Sequence, residues 1–158
     1  MGYALLKLLH LGSVVIWLGG MFFTLFCLRP AATSLPPPTR VPFMADVMRR
    51  FFAIVLGVAL IAIASGAAMV VRVAQTTRQT GAPFNMPADW MAMGLLGLVM
   101  LAIFGHIRFA LYKRLQRAVV AQDWPAGGAA LTEIRFWVGV NLAIGVLIIV
   151  IVLLGAAS

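Results

Sequence analysis

Four long apolar runs constrain this chain more than any other feature of its sequence. They are Leu8–Leu28, Phe51–Val71, Trp90–Ile107 and Phe136–Gly155. Each has about 18 to 21 residues, which at ~1.5 Å per residue lets one helix cross a bilayer. The sequence therefore predicts an all-α polytopic membrane protein, an antiparallel bundle of four transmembrane helices. We expect a single domain over residues 1–158, with helices at about 4–28, 43–73, 89–121 and 131–156.

The composition supports the same class. Hydrophobic residues make up 63% of the 158 residues and charged residues 10%, which excludes a soluble domain and makes the lipid bilayer a partner. The formal net charge of +8 does not indicate nucleic-acid binding. The basic residues lie at the ends of the apolar runs, where they set topology and meet anionic headgroups. With Cys27 as its single cysteine, the chain forms no internal disulfide and no cysteine-based zinc cluster.

Lysine and arginine are distributed unevenly between the two sides of the predicted bundle. Loops one and three, with their flanks, hold nine basic residues, and the opposite side holds only Lys7, Arg72 and Arg78. Basic residues accumulate in cytoplasmic loops, so loops one and three are predicted to be cytoplasmic. We therefore expect a multi-pass protein of the bacterial inner (plasma) membrane with both termini in the periplasm.

Two connecting segments contain helix-breaking residues. Loop one, from Pro30 to Arg40, includes three consecutive prolines and is predicted to be a stiff, extended connector. Pro42 suits the first turn of the second helix. The segment from Asp123 to Gly128 is predicted to break the chain before the fourth helix.

Polar and small side chains recur along the first apolar run at alternating steps of three and four. This spacing places them on one face of a helix. A face of this kind is typical of a helix that presents a histidine and a close-packing surface to partner helices. The members of this stripe are His10, Ser13, Trp17, Gly20, Thr24 and Cys27.

The two histidines are the first candidate ligands. A neutral imidazole binds copper or haem iron and shuttles protons. His10 lies about 5 Å inside the outer boundary, whereas His106 lies about 24 Å below it, at ~1.5 Å per residue. Two ligands of one iron should lie at similar depth, so this spacing disfavours a haem clamped between the two histidines. Separate sites, each with other partners, fit better.

Soft thioether ligands give a second set of candidates. Methionine sulfur favours Cu(I), and the chain has nine methionines, although methionine is also a routine filler of membrane helices. Met69 and Met93 are predicted near the depth of His10. The candidate copper ligands are therefore His10, Met69, Met93 and His106.

Other side chains would suit a haem. Trp17 is predicted near the bilayer midplane, where it either packs against a flat cofactor or fills the bundle centre. Arg108 either snorkels to the surface or binds lipid phosphates or haem propionates. Asn141 is predicted about one and a half turns inside the membrane, where it needs a hydrogen-bond partner. With His10 and His106, these are the candidate cofactor-binding residues.

Three stretches resemble a known family. Residues 7–23 read KLLHLGSVVIWLGGMFF, helix three contains GHIRF and helix four contains RFWVGVNLAIG. They resemble the copper resistance protein D (CopD) family over most of the chain, as a stand-alone four-helix version. The resemblance implies copper handling at the inner membrane. The chain lacks the additional helices and the Met-rich or His-rich outer loop of full-length members.

A second resemblance gives the alternative. The His10-to-Trp17 spacing and the region of Asn141 are similar to HemJ-type protoporphyrinogen oxidases, which would imply b-type haem and porphyrin oxidation. A lysine expected at the start of helix three is absent, and residues 91–94 read MAMG. The first hypothesis is therefore a membrane protein that binds or transports copper in metal homeostasis.

Two further hypotheses stand beside it. One is a haem-binding membrane redox protein with a histidine axial ligand. The other is an accessory subunit, or a homodimer formed through small-residue faces. No Walker, GxGxxG or HExxH motif and no nucleophile elbow occurs in the sequence. The sequence therefore assigns no enzyme activity outside the haem alternative, which would make the protein a haem-dependent oxidoreductase.

Overall fold

The protein folds into four long helices. The computed structural model describes residues 2–155, and these contain no β-strand. The helices are α1 (Gly2–Ala32), α2 (Pro37–Gln79), α3 (Ala88–Val120) and α4 (Trp124–Gly155), each long and apolar enough to cross a membrane. The predicted all-α class and the four membrane-spanning helices are confirmed.

The connections divide the bundle into two ends. Residues 33–36 and 121–123 connect helices at one end, which we call the short-loop end. Residues 80–87 connect α2 to α3 at the other, the long-loop end, where Gly2 and Gly155 also lie. The most extensive contacts join α1 to α2 and α3 to α4. The fold is therefore a pair of helical hairpins packed against each other.

The proline-rich connector is shorter than the sequence predicts. Helix α1 continues to Ala32, and Pro36 has an extended conformation, with φ −63° and ψ 151°. Pro37 and Pro38 form the first turn of α2 instead of an extended segment. The first turn of a helix has no internal acceptor for its N–H groups, so proline costs little there. The predicted helix start at residue 43 is therefore six residues late.

The fourth helix also begins earlier than the predicted residue 131. Gln122 adopts φ 55° and reverses the chain after α3, and the N–H of Asp123 donates to the Ala118 carbonyl at 2.9 Å. Asp123 Oδ1 then accepts the N–H of Ala126 at 3.0 Å, which caps the new helix. Pro125 occupies its first turn, and Gly127 lies against Val41 of α2. The predicted end at residue 156 lies outside the described residues.

A π-helical turn at Thr24–Leu28 changes which face of α1 points inward. The N–H of Arg29 donates to the Thr24 carbonyl, five residues back, so the turn holds one extra residue and rotates the following face by about 100°. Ser13, Trp17 and Thr24 are buried, as the stripe predicts. Cys27, beyond the start of the turn, is exposed. Its predicted place on the inward face is therefore wrong.

A row of four aromatic rings joins the two hairpins. Trp17 meets Phe104 edge-on at 6.3 Å between ring centroids, and Phe104 meets Phe52 at 6.0 Å. Phe52 in turn meets Tyr112 at 5.4 Å. The Tyr112 hydroxyl donates to the Ala45 carbonyl at 3.1 Å, so its buried oxygen is satisfied. The row fills the bundle centre and extends toward the short-loop end.

Only some of the glycines lie where two helices pack closely against each other. At Gly20 an added Cβ would lie 2.6 Å from the Phe51 ring, so α1 and α2 approach closely there. At Gly94 and Gly97 an added Cβ would meet nothing within 4 Å among residues 2–155. These two glycines do not pack helices within one chain, and the homodimer stays a prediction.

Candidate functional site

His10 occupies a niche between α1 and α2, which we call the His10 niche. Its Nδ1 lies 2.8 Å from the Ala62 carbonyl oxygen and 3.5 Å from Ser65 Oγ. The Ser65 hydroxyl donates to the carbonyl of Ile61 at 2.6 Å. The imidazole therefore rests on a polar patch of α2, formed by one backbone carbonyl and one hydroxyl oxygen.

The contact with Ala62 fixes the proton on the His10 ring. A carbonyl oxygen only accepts hydrogen bonds, so Nδ1 carries the proton and donates it to Ala62. In the neutral ring the other nitrogen, Nε2, then holds an unprotonated lone pair. Metal-binding histidines commonly use this arrangement, in which the N–H of the second nitrogen donates to a carbonyl or carboxylate and orients the ring.

Gly66 provides the space for the ring. A Cβ at this position would lie 3.2 Å from His10 Cε1 and 3.3 Å from His10 Nδ1. In the sequence, Ser65 and Gly66 indicate a surface where two helices pack closely. The sequence does not show that the His10 ring lies against this surface. The antiparallel register of α1 and α2 pairs residue 10 with residues 62–66. Knowledge of this register would have predicted the contact between His10 and Gly66.

His106 lies elsewhere in the bundle. It is exposed on α3, with its ring edge-on to Trp137 of α4 at 5.5 Å. The Trp17–Phe104 contact sets residues 17 and 104 at one level. His10 and His106 are then about 14 Å apart along the bundle, at ~1.5 Å per residue. The structure does not bring the two histidines into one site.

The predicted methionine ligands lie on different hairpins. Met69 is half-buried on α2, three residues beyond Gly66. Met93 is half-buried on α3, about four residues or ~6 Å closer to the long-loop end than the level of His10. No group of three or more His, Cys, Asp or Glu side chains suited to a metal occurs within residues 2–155. A metal site here depends on a histidine with thioethers.

Trp17 and Asn141 belong to the core. Trp17 is 6% exposed and fills the bundle centre against Phe104. Asn141 is 2% exposed, and its Nδ2 donates to Met21 Sδ at 3.8 Å. Within residues 2–155 its Oδ1 has no hydrogen-bond partner. The predicted need of Asn141 for a partner is met on one side of the amide only.

Arg108 faces aromatic rings. Its guanidinium carbon lies 5.3 Å from the centre of the Tyr112 ring and 5.7 Å from that of Phe109, which is cation–π geometry. His10, Trp17, His106, Arg108 and Asn141 thus contact different neighbours.

The geometry and the spans define a multi-pass membrane protein with one oriented imidazole between two helices. The family model of copper resistance protein D (CopD) matches residues 45–154, more than half of the chain. The chain belongs to this family and is a copper-resistance-related membrane protein. The match begins in α2, so His10 lies outside it. Comparisons with curated proteins and with solved structures gave no match.

Proposed function

We propose that the protein binds Cu(I) in the His10 niche, as the first step of copper handling at the membrane. The observation that carries the proposal is the hydrogen bond from His10 Nδ1 to the Ala62 carbonyl. It leaves Nε2 as an open ligand position on a ring of fixed orientation. A neutral imidazole and thioethers are ligands that suit Cu(I).

Met69 is the thioether best placed to complete the site. The His10 ring lies against Gly66, and Met69 follows Gly66 by three residues on α2. Residues three apart on a helix are neighbours, with about 5–6 Å between their Cβ atoms. In addition, side chains lean toward the N-terminus of their own helix. Because α1 and α2 are antiparallel, His10 and Met69 lean toward each other.

Met93 and His106 lie outside the His10 niche and would not be ligands of the copper bound there. Met93 is on α3 near the long-loop end, where it would receive the ion before the niche. His106 is exposed beside Trp137, more than one turn deeper than His10. We propose that the long-loop end faces the periplasm of a bacterial inner membrane, because the short-loop end holds most of the arginines. Copper would then enter the niche from the periplasmic side.

A Cu(I) competition titration tests this proposal. The full chain in detergent competes with a chromophoric Cu(I) chelator under reducing, anaerobic conditions. The His10→Ala variant should bind Cu(I) at least about 100-fold more weakly, since loss of an orienting partner alone costs 10–100-fold at metal sites. The matched control is His106→Ala, which removes the other histidine and should keep the wild-type affinity.

Two results would contradict the proposal. The first is equal Cu(I) affinity in the wild type and His10→Ala. The second is an absorbance spectrum with a Soret band that disappears in His10→Ala, because the His10 ring would then hold haem iron. Transport is tested separately with sealed vesicles that contain the protein and an internal Cu(I) indicator. Faster loading by the wild type than by His10→Ala is expected if the niche is on the path of the ion.

A further inference from the structure

A second site lies at the short-loop end, away from the His10 niche. A cavity of about 190 Å³ opens there between α1, α2 and α4. Three arginines line it, one from each helix, and we call it the arginine cavity. They are Arg29, Arg40 and Arg135. Buried Met44, Met48 and Val138 line its inner part, and exposed Thr33 lies at its mouth.

The positive charge of the cavity is not balanced by the protein. None of the four acidic residues of the chain is among the described residues that line it. Asp46 pairs with Arg49 and Arg50, and Glu133 lies 3.4 Å from Arg114. Asp123 accepts the N–H of Ala126, and Asp89 lies beside Gly155 at the long-loop end. The three guanidinium groups therefore repel one another without a counter-charge.

One donor atom of Arg29 has no hydrogen-bond acceptor among the described residues. Its Nη1 is buried, and among residues 2–155 it has no hydrogen-bond partner. Among residues 2–155 no hydroxyl around the cavity accepts a hydrogen bond from this Nη1. The threonine hydroxyls donate within their own helices. Thr24 donates to Gly20 at 2.8 Å and Thr132 to Gly128 at 3.0 Å. A buried charged donor without an acceptor is costly, so an acceptor from outside the chain is expected here.

We propose that the arginine cavity binds a phosphate-type oxyanion. Planar guanidinium groups match the spacing of phosphate oxygens and donate to them in pairs. The volume of about 190 Å³ exceeds by several fold the ~30 Å³ that one water occupies in the liquid. Basic pockets between membrane helices on the cytoplasmic side bind lipid headgroups. The phosphate of a phospholipid and free inorganic phosphate have this chemistry in common.

The proposal does not depend on copper binding at His10. Three uncompensated positive charges repel a copper ion, so the arginine cavity is not a second port for the same cation. Its occupant instead neutralises the end of the bundle where α1, α2 and α4 meet. Loss of the anion should therefore loosen that end without changing the Cu(I) ligands.

Thermal unfolding in a phospholipid-free detergent tests the free-anion source. Inorganic phosphate should raise the unfolding midpoint of the wild type above that in sodium chloride of equal ionic strength. The apparent phosphate affinity should fall about 10- to 100-fold in Arg29→Gln, because hydrogen bonds between charged groups are among the strongest in proteins. Arg135→Gln, which changes an exposed residue, gives the same test if Arg29→Gln fails to fold.

Native mass spectrometry of protein extracted from membranes tests the lipid source. A phospholipid that stays bound to the wild type and is lost from Arg29→Gln and Arg135→Gln identifies the headgroup as the anion. The control for both experiments is Arg117→Gln, which removes one exposed positive charge of α3 outside the cavity and should behave as wild type. Two outcomes overturn the proposal. Either neither probe distinguishes the wild type from the cavity variants, or Arg117→Gln loses as much binding as they do.

Discussion

The His10 niche and the arginine cavity are both polar sites between membrane helices, yet they are built in opposite ways. In the niche Nδ1 of His10 is paired with the Ala62 carbonyl, and the proposed ligand of the cation is the other ring nitrogen, Nε2. In the cavity it assembles three charged donors and leaves Arg29 Nη1 without an acceptor. If both proposals hold, the atom left without a partner indicates the charge of the ligand in each site, an acceptor for a cation and a donor for an anion.

The two sites are separated by the row of four rings at the bundle centre. Phe52 is the third of the four rings and contacts both Phe104 and Tyr112. It ties α2 to α3, and therefore one hairpin to the other. The sites should respond independently to changes in their own residues and together to changes in this row.

The largest effect is expected from Phe52→Ala. Truncation of a buried phenylalanine costs about 3–5 kcal/mol of the free energy of unfolding, and Phe52 is 1% exposed. Reversible denaturation in mixed micelles measures the loss. Cu(I) binding and the phosphate response should weaken together. A variant that loses only one of them would show that the rings do not link the sites, and Phe109→Ala, at an exposed ring, is the matched control.

The next effect separates the two sites. Gly66→Val places a side chain where a Cβ alone would lie 3.2 Å from the His10 ring, so the ring must move. Cu(I) affinity should fall about 10–100-fold, as it does when the group that orients a ligand is lost, while the phosphate response stays unchanged. Gly57→Val is the control, because an added Cβ at Gly57 meets nothing within 4 Å among the described residues. Equal losses of Cu(I) affinity in Gly66→Val and Gly57→Val would show that the space at Gly66 does not position the His10 ring.

A smaller effect tests the second ligand. Met69→Leu keeps the volume and removes the thioether, so Cu(I) affinity should fall about tenfold and stability should change by less than about 1.5 kcal/mol. The chelator competition described above measures the first quantity. Met91→Leu, at an exposed position of α3, should bind Cu(I) as the wild type does. Unchanged affinity in Met69→Leu would remove Met69 from the site and leave His10.

The smallest effect is expected near the arginine cavity. Tyr112→Phe removes the hydrogen bond to the Ala45 carbonyl and should cost about 1 kcal/mol of the free energy of unfolding. The ring contacts with Phe52 and Arg108 remain, so both sites should keep their ligands. Denaturation and both binding experiments check this. A loss of phosphate response would mean that this hydrogen bond positions the cavity.

Much of the fold follows from local patterns in the sequence. The four spans follow from the apolar runs, because a helix satisfies its own backbone in lipid. Helical spacing places Val138, Asn141, Gly145 and Ile148 on one face of α4, of which the first three are buried and Ile148 is half-buried. The predicted starts of α2 and α4 are too late because the prediction interprets the residues at these helix starts as breaks. Proline breaks a helix in the middle and aspartate is unfavourable there, but Pro37 and Asp123 both suit the start of a helix.

The candidate sites could be predicted only in part. Helical spacing placed His10 on the inward face of α1, but Cys27 was misplaced, because one π-helical turn rotates the face without any clear mark in the sequence. The sequence assigns Arg29 and Arg40 to topology alone, and for Arg135 it leaves open topology, lipid phosphates or haem propionates, without linking the three residues. They are far apart along the chain, and the sequence does not show that three helix ends converge.

The sequence by itself determined the class of the protein, the number of its spans and the candidate histidine, since each depends on residues close together along the chain. Tertiary structure decided which partners the polar groups have. The Ala62 carbonyl, 52 residues away along the chain, fixes the tautomer of His10. The convergence of α1, α2 and α4 makes a cavity out of three separate arginines. The physical reason is that a polar group in a membrane is defined by its partners, and those partners come from other helices.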